Sequence, residues 1–151
     1  MKKNILDEID KDIIRILQKD SNTSYRVIQN KLGISIGTIH NRIAKLKKNN
    51  IIQGYSIRLN NKKLGYKLTF LIRIQIDGKH TGEILRELTK KREVCSVFHT
   101  TGEQSAALIC RFRESDDVHK FIREINEKSF VTRSVSNMVL KEYKNESYVQ
   151  I

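Results

Sequence analysis

The chain has 151 residues, of which 29 are Lys or Arg and 17 are Asp or Glu, so its net charge is +12. This length accommodates one domain or two small ones. No apolar run approaches the roughly 20 residues that a bilayer span requires, and the N-terminus turns acidic before a signal-peptide core could form. Its two cysteines, Cys95 and Cys110, are too few for a disulfide scaffold and fit core thiols in a reducing compartment. These features argue against membrane, secreted and collagen-like classes, and we expect a cytoplasmic protein.

The positive charge is concentrated in the first part of the chain. Residues 1–65 hold 14 Lys or Arg and 5 Asp or Glu, whereas residues 66–151 hold 15 and 12. This asymmetry predicts a module that binds a polyanion, joined to a nearly neutral module.

The first part has the pattern of three helices. Apolar residues recur at three- and four-residue steps over residues 5–19, which predicts an amphipathic helix with acidic residues in its first turns. A second helix is predicted from Tyr25 to Leu32. Its inward residues are expected to be Val27, Ile28 and Leu32. Gly33 then provides a left-handed turn and Ser35 an N-cap. A third helix, from Ile36 to Lys48, completes a helix-turn-helix arrangement.

The third helix carries the candidate DNA contacts. It is expected to bury one stripe, Ile39, Ile43 and Leu46, and to expose basic and polar side chains. No Asp or Glu occurs between Lys31 and Lys67, which favours a surface that approaches phosphates over an ordinary solvated face. The candidate contacts to base edges are Thr38, His40, Asn41 and Arg42, with Gly37 on the same exposed surface. The candidate phosphate contacts are Arg26, Lys45, Lys47 and Lys48. Arg42 has two further possibilities, a phosphate contact or an ion pair with Asp10 or Asp12 of the first helix.

A turn at Gly54 separates two short apolar stretches, Ile51–Gln53 and Tyr55–Leu59. This pattern predicts a hairpin that packs on the helices as a wing. A polar connector follows. We therefore predict a winged helix-turn-helix DNA-binding domain over residues 1–60, a linker over residues 61–66 and a second domain over residues 67–151.

The second part has the order βαββαβ. Alternating apolar residues predict strands at Leu68–Ile76, Val94–His99, Ala106–Phe112 and Ser134–Tyr143. Helical spacing predicts one helix over Gly82–Lys91 and another that Ser115 caps. The predicted class is therefore α+β, with a ferredoxin-like sheet covered by helices on one face. Leu71 is expected on the uncovered face, which favours face-to-face pairing of two copies.

Four segments together resemble the Lrp/AsnC (feast/famine) family of prokaryotic transcription regulators. They are Leu6–Asp10, Leu32–Ser35, Thr38–Leu46 and Ile51–Tyr55, and the resemblance covers nearly the whole chain. It implies that the third helix reads the major groove of double-stranded DNA. It also implies that the second domain builds dimers, and often octamers, which bind amino acids between dimers.

The resemblance also marks an effector turn. The effector turn consists of Gly102, Glu103, Gln104 and Ser105. These four residues and Ser136, on the last strand, are the candidate effector-binding residues. Ser105 stands where the family typically has an aspartate that helps to recognise an amino group. Either Glu103 takes over this role from a shifted position, or the amino-acid site is altered or absent. An ordinary strand turn is the alternative interpretation of the segment.

Motifs for catalysis are missing from the sequence. It has no metal-ligand spacing, no nucleophile elbow and no glycine-rich phosphate loop, so we predict neither an enzyme nor a cofactor or metal site. The predicted function is a sequence-specific DNA-binding transcription regulator, modulated by a small molecule such as an amino acid. Two alternatives remain open: an architectural DNA-binding protein without an effector, and a metabolic sensor module that does not read DNA.

Overall fold

A computed structural model of the chain describes residues 6–146 and 148–151, in two compact units. The first unit extends to Arg58 and also includes the C-terminal residues from Glu146; the second runs from Leu59 to Asn145. The C-terminal residues had been predicted as part of the second domain. In the structure, their backbone and side chains bond to the first helix of the first unit.

The first unit contains three helices, α1 (Glu8–Lys19), α2 (Tyr25–Leu32) and α3 (Ile36–Lys48). The bounds predicted for α2 and α3 are confirmed, whereas residue 5, where the first prediction began, lies outside the described residues. The core is formed by Ile13, Ile28, Ile39 and Ile43, each 2 % exposed or less. Val27 was wrongly predicted to face inward. It is 42 % exposed, because Ile28 is the residue that α2 turns towards this core.

Local hydrogen bonds explain where these helices begin. The Asp7 carboxylate accepts from the Asp10 amide at 2.8 Å, and the Asp10 carboxylate accepts from the Asp7 amide at 3.4 Å, which forms a capping box at α1. Ser24 caps α2 and Ser35 caps α3. Gly33 lies between α2 and α3 with a φ of 68°, which favours glycine.

The segment after α3 is not the predicted hairpin, since no strand occurs between residues 51 and 67. The amides of Ile51 and Ile52 both donate to the Leu46 carbonyl, at 2.9 and 3.2 Å, so these residues cap the end of α3, after Asn50 with its left-handed φ of 56°. The Ile52 side chain packs on the core of the unit. Further along, Tyr55, Ile57 and Leu59 are exposed, and the stretch that contains them has no strand to pair with in the described chain.

The C-terminal residues lie along α1. The Arg15 Nε donates to the Ile151 carbonyl at 2.7 Å, and the Gln18 Nε2 donates to the Val149 carbonyl at 2.9 Å. The Tyr148 hydroxyl donates to the Gln18 carbonyl at 3.3 Å. These three bonds assign the segment to the first unit.

The second unit is a four-stranded antiparallel sheet with two helices. In chain order its elements are β1 (Leu68–Ile76), α4 (Thr81–Leu88), β2 (Val94–His99), β3 (Ala106–Phe112), α5 (Ser115–Asn126) and β4 (Val131–Met138). The strand order in the sheet is β2-β3-β1-β4, as in the split βαβ arrangement, so the predicted α+β class and the βαββαβ order are confirmed. The bounds predicted for the first three strands are confirmed as well.

One face of this sheet carries the core. Alternate residues of β3, from Ala106 to Phe112, are 1 % exposed or less and pack with buried residues of both helices. Leu71 is 39 % exposed on the other face, as predicted. Cys110 is buried as expected, but Cys95 is exposed because it lies at an irregularity in the pairing of β2 with β3.

The bounds of two elements in the second unit differ from the prediction at both ends. Helix α4 begins at Thr81 rather than at Gly82, and β4 begins at Val131 rather than at Ser134. Glu114, rather than the predicted Ser115, is the N-cap of α5, because Ser115 already lies in its first turn. Helix α4 ends at Leu88 rather than at Lys91, because the amides of Lys90 and Lys91 donate to carbonyls three residues back and form a turn. Strand β4 ends at Met138 rather than at Tyr143. Met138 pairs with Phe70, and β1 begins only two residues further on, at Leu68, so the predicted residues 141–143 would have no strand beside them.

Candidate nucleic-acid interface and effector turn

Helix α3 is held with one stripe in the core and the remaining surface open. Ile39, Ile43 and Leu46 are 2 % exposed or less, and they alternate along the helix with exposed residues. Asn41 lies two positions from both Ile39 and Ile43, and helix geometry therefore directs it away from the core. The exposed residues of this helix that had been predicted as DNA contacts are Gly37, Thr38, His40, Asn41, Lys45, Lys47 and Lys48.

Arg42 differs from these residues because two carboxylates hold it. Its Nη1 donates to the Asp7 Oδ2 at 2.6 Å and to the Asp10 Oδ1 at 2.8 Å. The Asp10 side chain is only 3 % exposed. The hydrogen bond from Arg42 keeps the pKa of Asp7 below its ordinary value, and the hydrogen bonds to Asp7 and then Asp10 raise the pKa of Arg42. Arg42 therefore ties α3 to the start of α1, while Asp12, the other partner considered, pairs with Arg15 at 2.7 Å.

Aromatic residues position two further side chains of α3. The His40 ring lies edge-on to the Tyr25 ring of α2, with centroids 6.3 Å apart. The Lys47 Nζ lies over the Tyr55 ring, 4.9 Å from its centroid, where cation–π attraction orients the ammonium group. Neither tyrosine had been identified from the sequence as part of the site. The three-residue spacing of Asp7 and Asp10 could have identified Asp7 as the N-cap of α1.

The charges of the first unit are separated between its helices. Acidic residues cluster on α1, where Glu8 pairs with Lys11 at 2.6 Å and Asp12 pairs with Arg15. Within the described chain, Lys45 and Lys48 have no ion pair, and neither does Arg26 on the exposed surface of α2. Their charges are thus available to an external polyanion.

The effector turn is organised by its own hydrogen bonds. Gly102 has a φ of 103°, which favours glycine. The Thr100 hydroxyl donates to the Gln104 carbonyl at 2.6 Å, and the Thr100 amide donates to the Ser105 carbonyl at 2.9 Å. The Ser105 hydroxyl donates to the Ile76 carbonyl at 3.1 Å and accepts from the Ile76 amide at 3.2 Å. Ser105 therefore joins this turn to the end of β1.

Two candidate effector-binding residues remain, Glu103 in the turn and Ser136 on β4. The Glu103 carboxylate accepts from the Arg133 Nη1 at 3.3 Å, which brings opposite charges together on the surface. Ser136 pairs with Ile72, four residues from Ile76 along β1, so it lies about 13 Å along the strand from the Ser105 contact. The structure thus gathers Gly102 to Ser105 and adds Arg133, but it places Ser136 apart from them.

Within the residues that the structure describes, no group of three or more His, Cys, Asp and Glu side chains could hold a metal ion. No described helix is long and apolar enough to cross a membrane.

Two family models match the chain, one for each unit. Residues 6–53 match winged helix-turn-helix DNA-binding domains, and residues 69–149 match the Lrp/AsnC ligand binding domain. Together with the exposed basic face of α3, these matches define a DNA-binding transcriptional regulator with a separate ligand-binding domain. The chain belongs to the Lrp/AsnC family, as its sequence predicted.

Individual proteins support this assignment. An uncharacterized HTH-type transcriptional regulator of Pyrococcus abyssi is 38 % identical over 142 residues, which cover 94 % of this chain and 97 % of the relative. The structure of Escherichia coli AsnC superposes with a TM-score of 0.86 at 28 % identity, covering 95 % of this chain and 97 % of AsnC. A regulator from Neisseria meningitidis, crystallised as a complex with L-Met, has the same fold, with a TM-score of 0.89 at 24 % identity and coverage of 95 % and 96 %.

Proposed function

We propose that α3 enters the major groove of duplex DNA and that Asn41 is its principal reader of base edges. An asparagine amide forms two hydrogen bonds with adenine in the major groove. Asn41 is exposed on the side of the helix opposite the core, and the faces around it carry no acidic residue. This outward position on an acid-free helix is the observation that carries the proposal. Thr38 and His40, which flank Asn41 on the exposed surface, are the secondary candidates.

The positions of the basic residues favour phosphate contacts rather than base contacts. Lys45 and Lys48 lie further along the exposed surface of α3, and Arg26 projects from α2. Lys47 approaches the phosphates from its place over Tyr55. Such contacts fix the register of a protein on DNA without reading sequence. Arg42 acts differently in our proposal, since its two carboxylate partners make it a residue that positions α3. Duplex DNA as the partner favours a cytoplasmic location.

Binding to a selected duplex and to a scrambled duplex at two salt concentrations tests these roles. Asn41→Ala should weaken binding to the selected duplex by about 1–3 kcal/mol and reduce the preference for it. Lys45→Ala should weaken both complexes equally and lower the salt slope by about one. Lys120 is an exposed lysine on α5. Lys120→Ala is therefore the matched control, and it should change neither the affinity for the two duplexes nor the salt slope. Equal losses on both duplexes for Asn41→Ala would contradict its role as a reader.

We also propose that the effector turn binds a free amino acid. The turn presents a carboxylate, Glu103, beside a guanidinium, Arg133, and both side chains are well exposed. An amino acid carries the complementary pair of charges, so its ammonium group would replace Arg133 beside Glu103, while its carboxylate would pair with Arg133. Glu103 would thereby take the role of the family's aspartate, which Ser105 cannot fill because its hydroxyl bonds to Ile76.

Calorimetric titration with each of the twenty amino acids tests this second proposal. At least one amino acid should bind the wild type and should fail to bind Glu103→Gln. Glu127→Gln removes an exposed carboxylate at the end of α5 and should leave binding unchanged. If none of the twenty binds, the proposal is wrong, and an architectural DNA-binding role without an effector becomes the better interpretation.

We propose finally that the protein acts as a homodimer that can assemble into an octamer. The uncovered sheet face presents Leu71 and Phe98, which are 39 % and 51 % exposed. Burial of such apolar surface stabilises association. A dimer would also bring two α3 helices to half-sites about one helical turn, or a multiple, apart. Light scattering should therefore give at least twice the mass of the 17.6 kDa chain, and Leu71→Glu should shift this mass towards the monomer.

A further inference from the structure

The first residue of α3 exposes hydrocarbon at the start of the helix that is proposed to read DNA. Ile36 is 44 % exposed, whereas the other two isoleucines of the helix, Ile39 and Ile43, are 2 % exposed or less. Exposing an isoleucine forgoes the stabilisation that its burial would bring. A polar residue would be the usual choice at a solvated first turn.

The next residue, Gly37, leaves open space beside Ile36. A Cβ atom built at Gly37 would meet only the Ser35 Oγ, at 3.8 Å, which is an ordinary contact distance. Its backbone is helical, so no left-handed conformation demands glycine here. Glycine in a helix is destabilising relative to alanine. Nothing in the described part of the first unit therefore accounts for the missing side chain.

The polar groups of the first turn already bond to one another. The Ser35 hydroxyl accepts from the Thr38 amide at 3.1 Å, and the hydroxyls of Ser35 and Thr38 are 2.9 Å apart. These contacts cap the helix. Beside these bonded hydroxyls, the turn exposes the hydrocarbon of Ile36 and the open surface at Gly37.

We infer that the first turn of α3 recognises the 5-methyl group of a thymine. This inference rests on the proposed DNA-binding role of α3. Thymine is the only one of the four bases whose edge in the major groove carries an apolar group, and apolar side chains recognise it by contact. Ile36 supplies that contact, and the absence of a side chain at Gly37 lets the helix approach the groove closely. Ile36 is thus a specificity-determining residue beside Asn41, and it selects for thymine where Asn41 selects for adenine.

The experiment removes the methyl group without changing the hydrogen-bonding edge of the base. The full-length protein first selects a duplex from a pool with a randomised central segment, and each thymine of that duplex is then replaced singly by deoxyuridine. At one thymine, or one symmetric pair, wild-type binding should weaken by about fourfold per methyl group, the factor expected for one buried methylene-sized group. Ile36→Ala should bind the thymine duplex more weakly and should lose nothing further with deoxyuridine at that position, whereas Ile36→Val should keep the methyl dependence.

Two matched variants separate this contact from general effects. Leu140 is an 89 % exposed aliphatic residue in the second unit, and Leu140→Ala should retain the wild-type pattern. Gly37→Ala should weaken DNA binding without lowering the thermal midpoint of unfolding. Gly82→Ala adds the same methyl group to α4, where the nearest atom is the Arg86 Nη2 at 3.7 Å, and should leave DNA binding unchanged.

The possible failures are distinguishable. The inference is overturned if the wild type is indifferent to deoxyuridine at every thymine, or if Ile36→Ala keeps the same methyl dependence. In either case a loss of preference in Asn41→Ala would leave the proposed function intact. If the wild type binds selected and random duplexes equally, the proposed function and this inference both fail.

Discussion

Replacing Arg42 by alanine tests whether this residue supports α3 or contacts DNA directly. In the structure, its guanidinium bonds to Asp7 at 2.6 Å and to Asp10 at 2.8 Å. Asp10 is one of two buried polar residues, with Thr81, in the part of the chain that the structure describes. Without Arg42, the Asp10 carboxylate would keep only the distant Asp7 amide, at 3.4 Å, among the hydrogen bonds found for it.

The expected loss of stability follows from this geometry. Removing one partner of a fully buried ion pair costs about 3–5 kcal/mol, because the other charge remains buried. A hydrogen bond to a charged group contributes about 1.5–3 kcal/mol. Arg42 is 25 % exposed, so water can partly replace it, and we expect Arg42→Ala to destabilise the first unit by about 2 kcal/mol. Asp7 adds little to this figure since its side chain is 55 % exposed.

Urea unfolding followed by circular dichroism at 222 nm measures this loss. Lys11→Ala is the matched control, because Lys11 forms an ion pair with Glu8 within α1, the helix that also carries Asp10. That change should cost no more than about 0.5 kcal/mol. The lowered pKa of Asp7 adds a pH dependence: its contribution is present above its ordinary pKa and is lost as the pH falls through the lower value of the folded state. In Arg42→Ala this acid-sensitive component should shrink, because the Arg42 hydrogen bond is the largest cause of the lowered pKa, while the hydrogen bond from the Asp10 amide remains.

Binding to DNA then decides between the two roles. Under conditions where the variant is folded, Arg42→Ala should retain the salt slope of the wild type, because a residue already paired with two carboxylates releases no counterions. The reasoning is refuted if Arg42→Ala unfolds at the wild-type urea concentration and its salt slope falls by about one. Arg42 would then be a phosphate contact.

Three further outcomes are expected elsewhere in the chain. Ser105→Ala removes the hydroxyl that joins the effector turn to Ile76 and should lower the stability of the second unit by about 1 kcal/mol in urea unfolding. Gly33→Ala should destabilise the first unit by about 1 kcal/mol, because its φ of 68° disfavours alanine, whereas Gly54→Ala should have little effect since its φ is not positive. Burial raises the pKa of Cys110 to about 12, so iodoacetamide at pH 8 should alkylate only Cys95 in the native protein and both thiols in urea, as mass spectrometry would show.

The helices and strands were predictable because their signals are local. The bounds of α2 and α3 follow from cap residues and from one left-handed glycine, and those of β1 to β3 follow from alternation. The predicted bounds were wrong where a pairing partner outside the segment determines whether a strand forms or where it ends. Strand β4 cannot reach Tyr143 because β1, in which Phe70 pairs with Met138, begins only two residues further on, at Leu68. The stretch after Gly54 has no neighbouring strand to pair with in the described chain. Neither limit is visible in the segment itself.

The same distinction applies to the candidate sites. Helical spacing was enough to place Asn41 and Lys45 on an exposed surface, because the buried stripe fixes the other faces of α3. It could not decide the role of Arg42, whose partners lie 32 and 35 residues away in the chain. Helical spacing also did not identify Ile36 as a candidate contact, since an isoleucine at the start of a helix ordinarily indicates a residue of the hydrophobic core. Residues such as Arg42 and Ile36, whose role depends on whether distant groups bond to them or leave them exposed, therefore need the folded structure.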